Sequence, residues 1–288
     1  MKHSTKEAGM MVMRRRASIP ARINIVGEHT DYMGGLALPF ASQLRLTLTA
    51  TSSEATTGDS TVVALWEAAG GWPAHLHVES EIPIGAGMSS SAALCLAVVL
   101  CARGSIDSMD ACLEAQRIEQ TVLETPCGLL DQMAMMHAQR GRTTLIDFSS
   151  NEVESHPLPA DWHFKLIDSG VRRKLGETDF GRSAGDSVLQ AHALKENQRV
   201  KAALRAKAPE LGMLLNESHA SLIGIGVSHP DVDGLVTQLQ TTPGVLGARM
   251  MGGGFGGMIL VLVDHPNALP EHPLVVASQG GFLEEFLE

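Results

Sequence analysis

The sequence predicts a folded protein that combines strands and helices and is long enough for two domains. Its 288 residues exceed one ordinary domain, and 44% of them are apolar, enough to fill hydrophobic cores. Strand and helix patterns both occur in the first half, whereas the second half is rich in helical patterns. The best boundary is a linker at 149–161 that carries two prolines, which gives domains 1–155 and 156–288.

The composition limits the classes of partner that the protein can bind and indicates the compartment in which it folds. The formal net charge of −10 disfavours binding to nucleic acid or to an acidic membrane surface. The four cysteines form no Cys-X-X-Cys pair, so we expect buried, reduced thiols in a cytoplasmic protein. No run of about 18 apolar residues predicts a membrane span.

The elements can be assigned in order from the spacing of apolar residues. Leu44, Leu46 and Leu48 alternate with polar residues, which indicates a half-buried strand over Gln43–Ala50. Further strands are predicted around Ile23–Ile25 and at Thr61–Trp66, His75–Val78, Thr143–Phe148, His163–Asp168 and Met258–Val263. Helices are predicted at Ser89–Arg103, Asp110–Glu124, Ser187–Ala208, Leu211–Ile223 and Asp231–Leu239.

The stretch 83–94, Pro-Ile-Gly-Ala-Gly-Met-Ser-Ser-Ser-Ala-Ala-Leu, is the most informative part of the chain. A loop that opens directly into a helix presents unpaired N–H groups and the positive end of the helix dipole, which together bind phosphate. Gly85 and Gly87 permit close backbone approach, and the serines offer hydroxyl groups. The alternative is an ordinary helix cap. It is not a Walker loop, because no Gly-Lys-Ser/Thr follows.

Two other stretches are rich in glycine or in polar groups. In 22–35, the side chains of Glu28, His29 and Asp31 offer the mixed donors and acceptors that a sugar needs, although a solvated turn has the same composition. In 252–257, five of six residues are glycine, which indicates close approach to a backbone or a ligand, or else a hinge.

The order and the amino-acid sequences of these stretches resemble those of the GHMP family of small-molecule kinases. The segment 22–35, beginning Arg-Ile-Asn-Ile-Val-Gly-Glu-His-Thr-Asp-Tyr, is similar to the galactokinase signature within that family. Cys127-Gly-Leu-Leu-Asp-Gln132 resembles its catalytic-aspartate segment, and 216–222 and 247–257 also resemble galactokinases. The resemblance extends in patches from about residue 17 to residue 263.

The resemblance implies a two-domain α+β fold with mixed sheets packed by helices and an active-site cleft between the domains. It also implies ATP and Mg²⁺, and phosphorylation of the anomeric hydroxyl of galactose. Asp131 and Arg22 would be the catalytic pair, and Ser91 and Glu119 the metal ligands. The sugar would be held by Glu28, His29, Asp31, Gly128 and the residue at Phe180, and the triphosphate by Gly85, Gly87, Ser89, Ser90 and Ser91.

Elementary chemistry agrees with these implied roles. Phosphoryl transfer requires mainly positioning and charge neutralisation. Asp131 can accept the proton of a sugar hydroxyl, and a neighbouring Arg22 would keep that carboxylate ionised and stabilise the moving phosphoryl group. Mg²⁺ takes only one or two protein oxygens besides phosphates and waters, so Ser91 and Glu119 suffice.

The chain also departs from the family pattern. It is short for a galactokinase, and Phe180 stands where the family usually has tyrosine, so a hydroxyl that would contact the sugar is missing. Two alternatives therefore stand beside galactokinase. One is a kinase for another monosaccharide or sugar derivative, and the other is a non-catalytic sugar-binding regulator.

Overall fold

The computed structural model describes residues 12–172 and 185–287. Its strands are β1 (Met13–Asn24), β2 (Leu36–Ala37), β3 (Pro39–Ser52), β4 (Ala74–Ser80), β5 (Arg142–Asp147), β6 (Glu152–Pro157), β7 (His163–Asp168), β8 (Val245–Met250), β9 (Met258–Val263) and β10 (Phe282–Leu287). Its helices are α1 (Ser60–Ala68), α2 (Ser90–Arg103), α3 (Ser108–Val122), α4 (Leu130–Met136), α5 (Asp186–Ala203), α6 (Ala208–Gly224) and α7 (Pro230–Gln240). A 3-10 turn occupies Asp31–Met33.

These strands form three sheets with the orders β10-β1-β3-β4, β2-β5-β6 and β7-β9-β8. Every pairing between the named strands is antiparallel. Strand β10 pairs with β1 from Met13 opposite Leu287 to Ser18 opposite Phe282. The end of the chain thus completes the first sheet. The boundary predicted at residue 155 falls inside β6, so a single cut there does not separate the sheets.

Helix α2 fills the centre of the first core. Its apolar run buries ten of fourteen residues, and it packs against β1, β3 and α3. Such a continuously apolar helix is stable only when it is covered on nearly all sides. The rings of Phe40 on β3 and Phe164 on β7 stack with centroids 5.6 Å apart, which joins the first core to the third sheet. Cys95, Cys101 and Cys112 are buried free thiols, as predicted, whereas the free thiol of Cys127 is only half-buried.

The strand predicted at Thr61–Trp66 is wrong, because this segment forms α1. Asp59 begins the helix, and its Oδ1 accepts a hydrogen bond from Thr61 N–H at 2.9 Å. An aspartate at this position satisfies N–H groups that a helix start leaves unpaired. The buried side chains of this helix include Val62, Leu65 and Trp66.

Among the described residues, no single helix is long and apolar enough to cross a membrane. Helices α2 and α3 reach the required length and composition only as a pair, and that pair is bent by 118°.

Candidate active site

One cleft of about 660 Å³ gathers the predicted site residues that the structure describes. These lining residues are Arg22, Glu28, His29, Asp31, Gly85, Gly87, Ser89, Ser90, Ser91, Glu119, Gly128 and Asp131. They come from the end of β1 and the turn after it, the loop into α2, helix α3 and the start of α4. Phe180 lies outside the described residues.

The loop before α2 has the backbone shape expected of a phosphate cradle. Gly85, Gly87 and Ser89 all have positive φ, at 69°, 70° and 62°, and α2 begins at Ser90. A Cβ on Gly87 would lie 3.0 Å from the Met251 carbonyl oxygen, so the loop is also packed tightly from behind. The first turn of α2 lines the cleft, which therefore lies at the positive end of a 14-residue helix.

The late glycine run packs against the backbone of this phosphate loop. Met258 N–H donates to the Ala86 carbonyl at 2.9 Å, and a Cβ on Gly257 would lie 2.7 Å from that same oxygen. A Cβ on Gly252 would lie 2.7 Å from the Gly87 carbonyl oxygen. The structure thus supports close backbone approach as the reason for glycine here, and the run forms the rear wall of the cleft.

Arg22 joins two parts of the site. Its Nε lies 2.8 Å from Oδ1 of Asp131, and its Nη1 donates to the Gly87 carbonyl at 2.5 Å. The Arg22 side chain is 4% exposed, whereas Asp131 is 27% exposed to the cleft. A guanidinium held at two points is a fixed cation beside a carboxylate that can still reach a ligand.

Glu28 is buried and is held by the second half of the chain. Its Oε1 accepts hydrogen bonds from Gly252 N–H at 2.7 Å and from Arg249 at 3.0 Å. Burial would raise the pKa of Glu28, but the charges of Arg249 and Arg22 and the Gly252 hydrogen bond hold it below its ordinary value. Glu28 is therefore ionised, with one oxygen already occupied.

Asp31 has the opposite electrostatic environment. Burial, followed by repulsion from Asp131, raises the pKa of Asp31 to about 6, although backbone N–H groups of Leu130 and Tyr32 donate to it. A Cβ on Gly128 would lie 1.7 Å from Asp31 Oδ2, so only glycine fits there. Beside them, His29 Nδ1 lies 3.2 Å from the Tyr32 hydroxyl.

Ser91 and Glu119 meet in the lining of the cleft. Ser91 Oγ donates to Glu119 Oε1 at 2.7 Å, and Gln132 Nε2 donates to Oε2 at 2.8 Å. Burial first, with a contribution from the charge of Asp131, raises the pKa of Glu119 to about 7. Within the described residues, no three His, Cys, Asp or Glu side chains are grouped to hold a metal ion. The adjacent hydroxyl and carboxylate are nevertheless hard oxygen donors of the kind that Mg²⁺ prefers.

Comparisons with known proteins agree with this geometry. The family descriptions that match are the GHMP kinases N terminal domain at residues 59–139, the galactokinase galactose-binding signature at 15–52 and the GHMP kinases C terminal region at 200–271. The galactokinase of Thermotoga maritima is 30% identical over 310 residues, covering 86% of this chain and 89% of the relative. The chain belongs to the galactokinase family of GHMP kinases. The galactokinase of Chloroflexus aurantiacus is also 30% identical, over 88% of this chain and 85% of its own.

Solved structures show the GHMP kinase fold. A Lactococcus lactis galactokinase complexed with galactose has a TM-score of 0.79 at 24% identity, covering 93% of this chain and 95% of that one. The Methanococcus jannaschii mevalonate kinase has a TM-score of 0.66 at 14% identity, covering 98% and 100%. The α+β fold expected from the resemblance is therefore confirmed.

Sequence reasoning missed three residues that line or support this galactokinase-family cleft, of which only Tyr32 is in its lining. Arg249 supports Glu28, Gln132 contacts Glu119, and Tyr32 contacts His29. Each lies inside a stretch that was already singled out, and Arg249 is the one charged residue of the run 247–257. The charge of Arg249, just before the run of glycines, was the available signal, since a buried charge requires a partner.

Proposed function

We propose that the protein is an ATP-dependent galactokinase, which transfers the γ-phosphoryl group of ATP to the anomeric hydroxyl of galactose and releases galactose 1-phosphate and ADP. The observation that carries the proposal is the double contact of Arg22, with Asp131 at 2.8 Å and with the Gly87 carbonyl at 2.5 Å. One arginine thus links the carboxylate that would receive a proton to the loop that would hold the phosphates.

Asp131 and Arg22 form the proposed catalytic pair. Asp131 orients the anomeric hydroxyl of the sugar and accepts its proton as the oxygen attacks the γ-phosphorus. Such proton transfer contributes roughly 10²–10⁴ to the rate. Arg22 stabilises the negative charge that develops on the transferred group, at a fixed position that needs no reorganisation.

The sugar would lie in the pocket formed by Glu28, His29, Asp31 and Gly128. Gly252 and Arg249 donate to Glu28 Oε1, and the Asn24 side chain also donates to this carboxylate, so Glu28 is a fixed, ionised acceptor at the wall of the pocket. Asp31 sits against Gly128 and offers acceptors beside Asp131. A pocket built from charged acceptors discriminates strongly between sugars, because a missing hydroxyl leaves a buried acceptor unpaired.

The residues beside the phosphate loop fit Mg²⁺. Arg22 is the one Lys or Arg side chain in the described lining of the cleft, which also contains the carboxylates of Glu28, Asp31, Glu119 and Asp131. Ser91 and Glu119, with their oxygens 2.7 Å apart, would hold the ion. When bound, Mg²⁺ neutralises phosphate charge that a single arginine cannot balance.

The first experiment measures galactose-dependent release of ADP in the presence of Mg²⁺. Asp131→Ala should abolish turnover while ATP binding, measured by calorimetry, stays within a few-fold of the original. Asp110→Ala is the matched control, because Asp110 is an exposed acid in the first turn of α3. Unchanged turnover in Asp131→Ala would remove Asp131 from the proposed mechanism.

A panel of sugars tests specificity against the alternatives set out from the sequence. The match to the galactose-binding signature at 15–52 favours galactose over arabinose, N-acetylgalactosamine and the epimers of galactose. A better substrate than galactose would favour a kinase for that sugar. No ADP release with any sugar, together with retained ATP binding, would favour a regulator.

A further inference from the structure

Gln132 follows the proposed catalytic Asp131 in the sequence, but its side chain points in a different direction. Both residues lie in the first turns of α4, where successive side chains are about 100° apart. Asp131 contacts Arg22 at the cleft, whereas Gln132 is fully buried and contacts Glu119. A fully buried glutamine is costly unless its polar atoms are used, so this side chain requires an explanation.

The contact fixes the amide in one orientation. Nε2 of Gln132 donates to Glu119 Oε2 at 2.8 Å, and the reversed amide would place its oxygen against a carboxylate. Within the described residues, the Gln132 Oε1 atom has no hydrogen-bond partner. Nε2 also lies 4.0 Å from Cys127 Sγ, but a thiol sulfur is a weak acceptor, so the bond to Glu119 is the strong hydrogen bond of this side chain.

Glu119 is consequently held at both oxygens by two different helices. Ser91 on α2 donates to Oε1, and Gln132 on α4 donates to Oε2. Two donors on one carboxylate leave it a single rotamer and a single direction for its remaining lone pairs. A neutral amide achieves this without cancelling the negative charge, which a lysine or arginine would do.

We propose that Gln132 is a positioning residue, which orients Glu119 toward the Mg²⁺ of the bound nucleotide. The inference rests on the proposed kinase function. Partners that orient a metal ligand typically change metal affinity 10- to 100-fold when they are replaced. Because Gln132 and Asp131 share one helix turn, the same element positions the group that receives the proton and the group that holds the metal.

The test compares ADP binding with and without Mg²⁺ by calorimetry, using Gln132→Met, which keeps the length of the side chain and removes the donor. We expect the gain in ADP affinity that Mg²⁺ provides to fall about tenfold, with metal-free ADP affinity and galactose affinity unchanged. Gln132→Asn, a shorter amide, should show the same loss and serves if the methionine variant does not fold.

The matched control is Gln120→Met. Gln120 lies one position from Glu119 on α3 and donates to the Cys127 carbonyl at 2.8 Å, without contact to the carboxylate. The Gln120→Met variant should keep the full increase in ADP affinity that Mg²⁺ provides. The proposal is overturned if a Gln132 variant keeps the full increase in ADP affinity that Mg²⁺ provides. It is also overturned if the variant loses as much ADP affinity without Mg²⁺ as with it. A wild-type protein whose ADP affinity does not respond to Mg²⁺ overturns it as well. Absence of galactose-dependent ADP release in the wild type overturns the kinase function instead.

Discussion

Arg249 and Glu28 form an ion pair that is almost completely buried, with Nη2 and Oε1 3.0 Å apart. Arg249 lies on β8 in the third sheet, and Glu28 lies in the turn that follows β1. Arg249 Nη2 also donates to the Asn24 carbonyl at 2.6 Å, at the end of β1. The turn after β1 is therefore fixed to the second half of the chain by an ion pair as well as by packing.

Replacement of Arg249 by methionine should be strongly destabilising. Removing one partner of a buried ion pair costs about 3–5 kcal/mol, because the remaining charge stays buried without compensation. Urea denaturation at neutral pH measures the loss. Arg103→Met is the matched control, since the Arg103–Glu114 pair has side chains 45% and 19% exposed and should cost about 1 kcal/mol or less. Equal losses in the two variants would contradict the role assigned to Arg249.

Asp31→Asn should stabilise the free protein at neutral pH while weakening the binding of galactose. The folded-state pKa of Asp31 is about 6, above the ordinary value of 3.8, so folding favours its protonated form. The ionised carboxylate therefore lowers stability as pH rises from about 4 through 6, and this loss persists above pH 6. The neutral amide avoids it, so we expect a gain on the order of 1–3 kcal/mol at pH 7.5 and none near pH 4.

Denaturation curves at a series of pH values measure this effect. The control is a variant for which the opposite change in stability is expected. Hydrogen bonds from Ser149 lower the pKa of Asp147, so Asp147→Asn should lose stability at neutral pH. Asparagine at 31 keeps only one acceptor oxygen, and calorimetry should show weaker galactose binding. A loss of stability in Asp31→Asn at pH 7.5 would show that the Asp31 carboxylate is not destabilising.

Gly257→Ala tests the packing of the glycine run on the phosphate loop. Gly257 has φ +91°, and an added Cβ would lie 2.7 Å from the Ala86 carbonyl oxygen. Gly141 also has positive φ, at +70°, but a Cβ there would meet no atom within 4 Å. Gly141→Ala should cost only the left-handed backbone, about 1–2 kcal/mol. Gly257→Ala should cost more and also reduce ADP affinity, because Ala86 and Gly87 must move. Equal costs in denaturation would contradict the contact.

Much of the candidate site could be predicted because its motifs are local. The loop at 83–94 predicted the start of α2 and a close backbone approach at its glycines, since both depend on a few adjacent residues. The polar composition of the turn after β1 likewise indicated a candidate binding site. The structure brings these stretches into one cleft, as the family resemblance led us to expect.

Long-range pairing could not be predicted from these patterns. Met13 pairs with Leu287 across nearly the whole chain, and no local spacing of apolar residues specifies that partner. The burial of Glu119 depends on Gln132 and Ser91, which come from two other helices. The prediction of a strand at Thr61–Trp66 overlooked the helix cap that Asp59 provides.

Arg22→Lys should separate charge from geometry at the catalytic pair. Lysine keeps the positive charge but cannot contact both Asp131 and the Gly87 carbonyl, as the guanidinium does. We expect kcat to fall by roughly 10²–10³, in the range found when one transition-state donor is lost, with ATP affinity within a few-fold. The control is Arg117→Lys, whose side chain is 52% exposed and lies outside the cleft. A lysine variant with full kcat would show that a positive charge beside Asp131 suffices. A parallel loss of kcat and ATP affinity would show that the contact with Gly87 serves nucleotide binding.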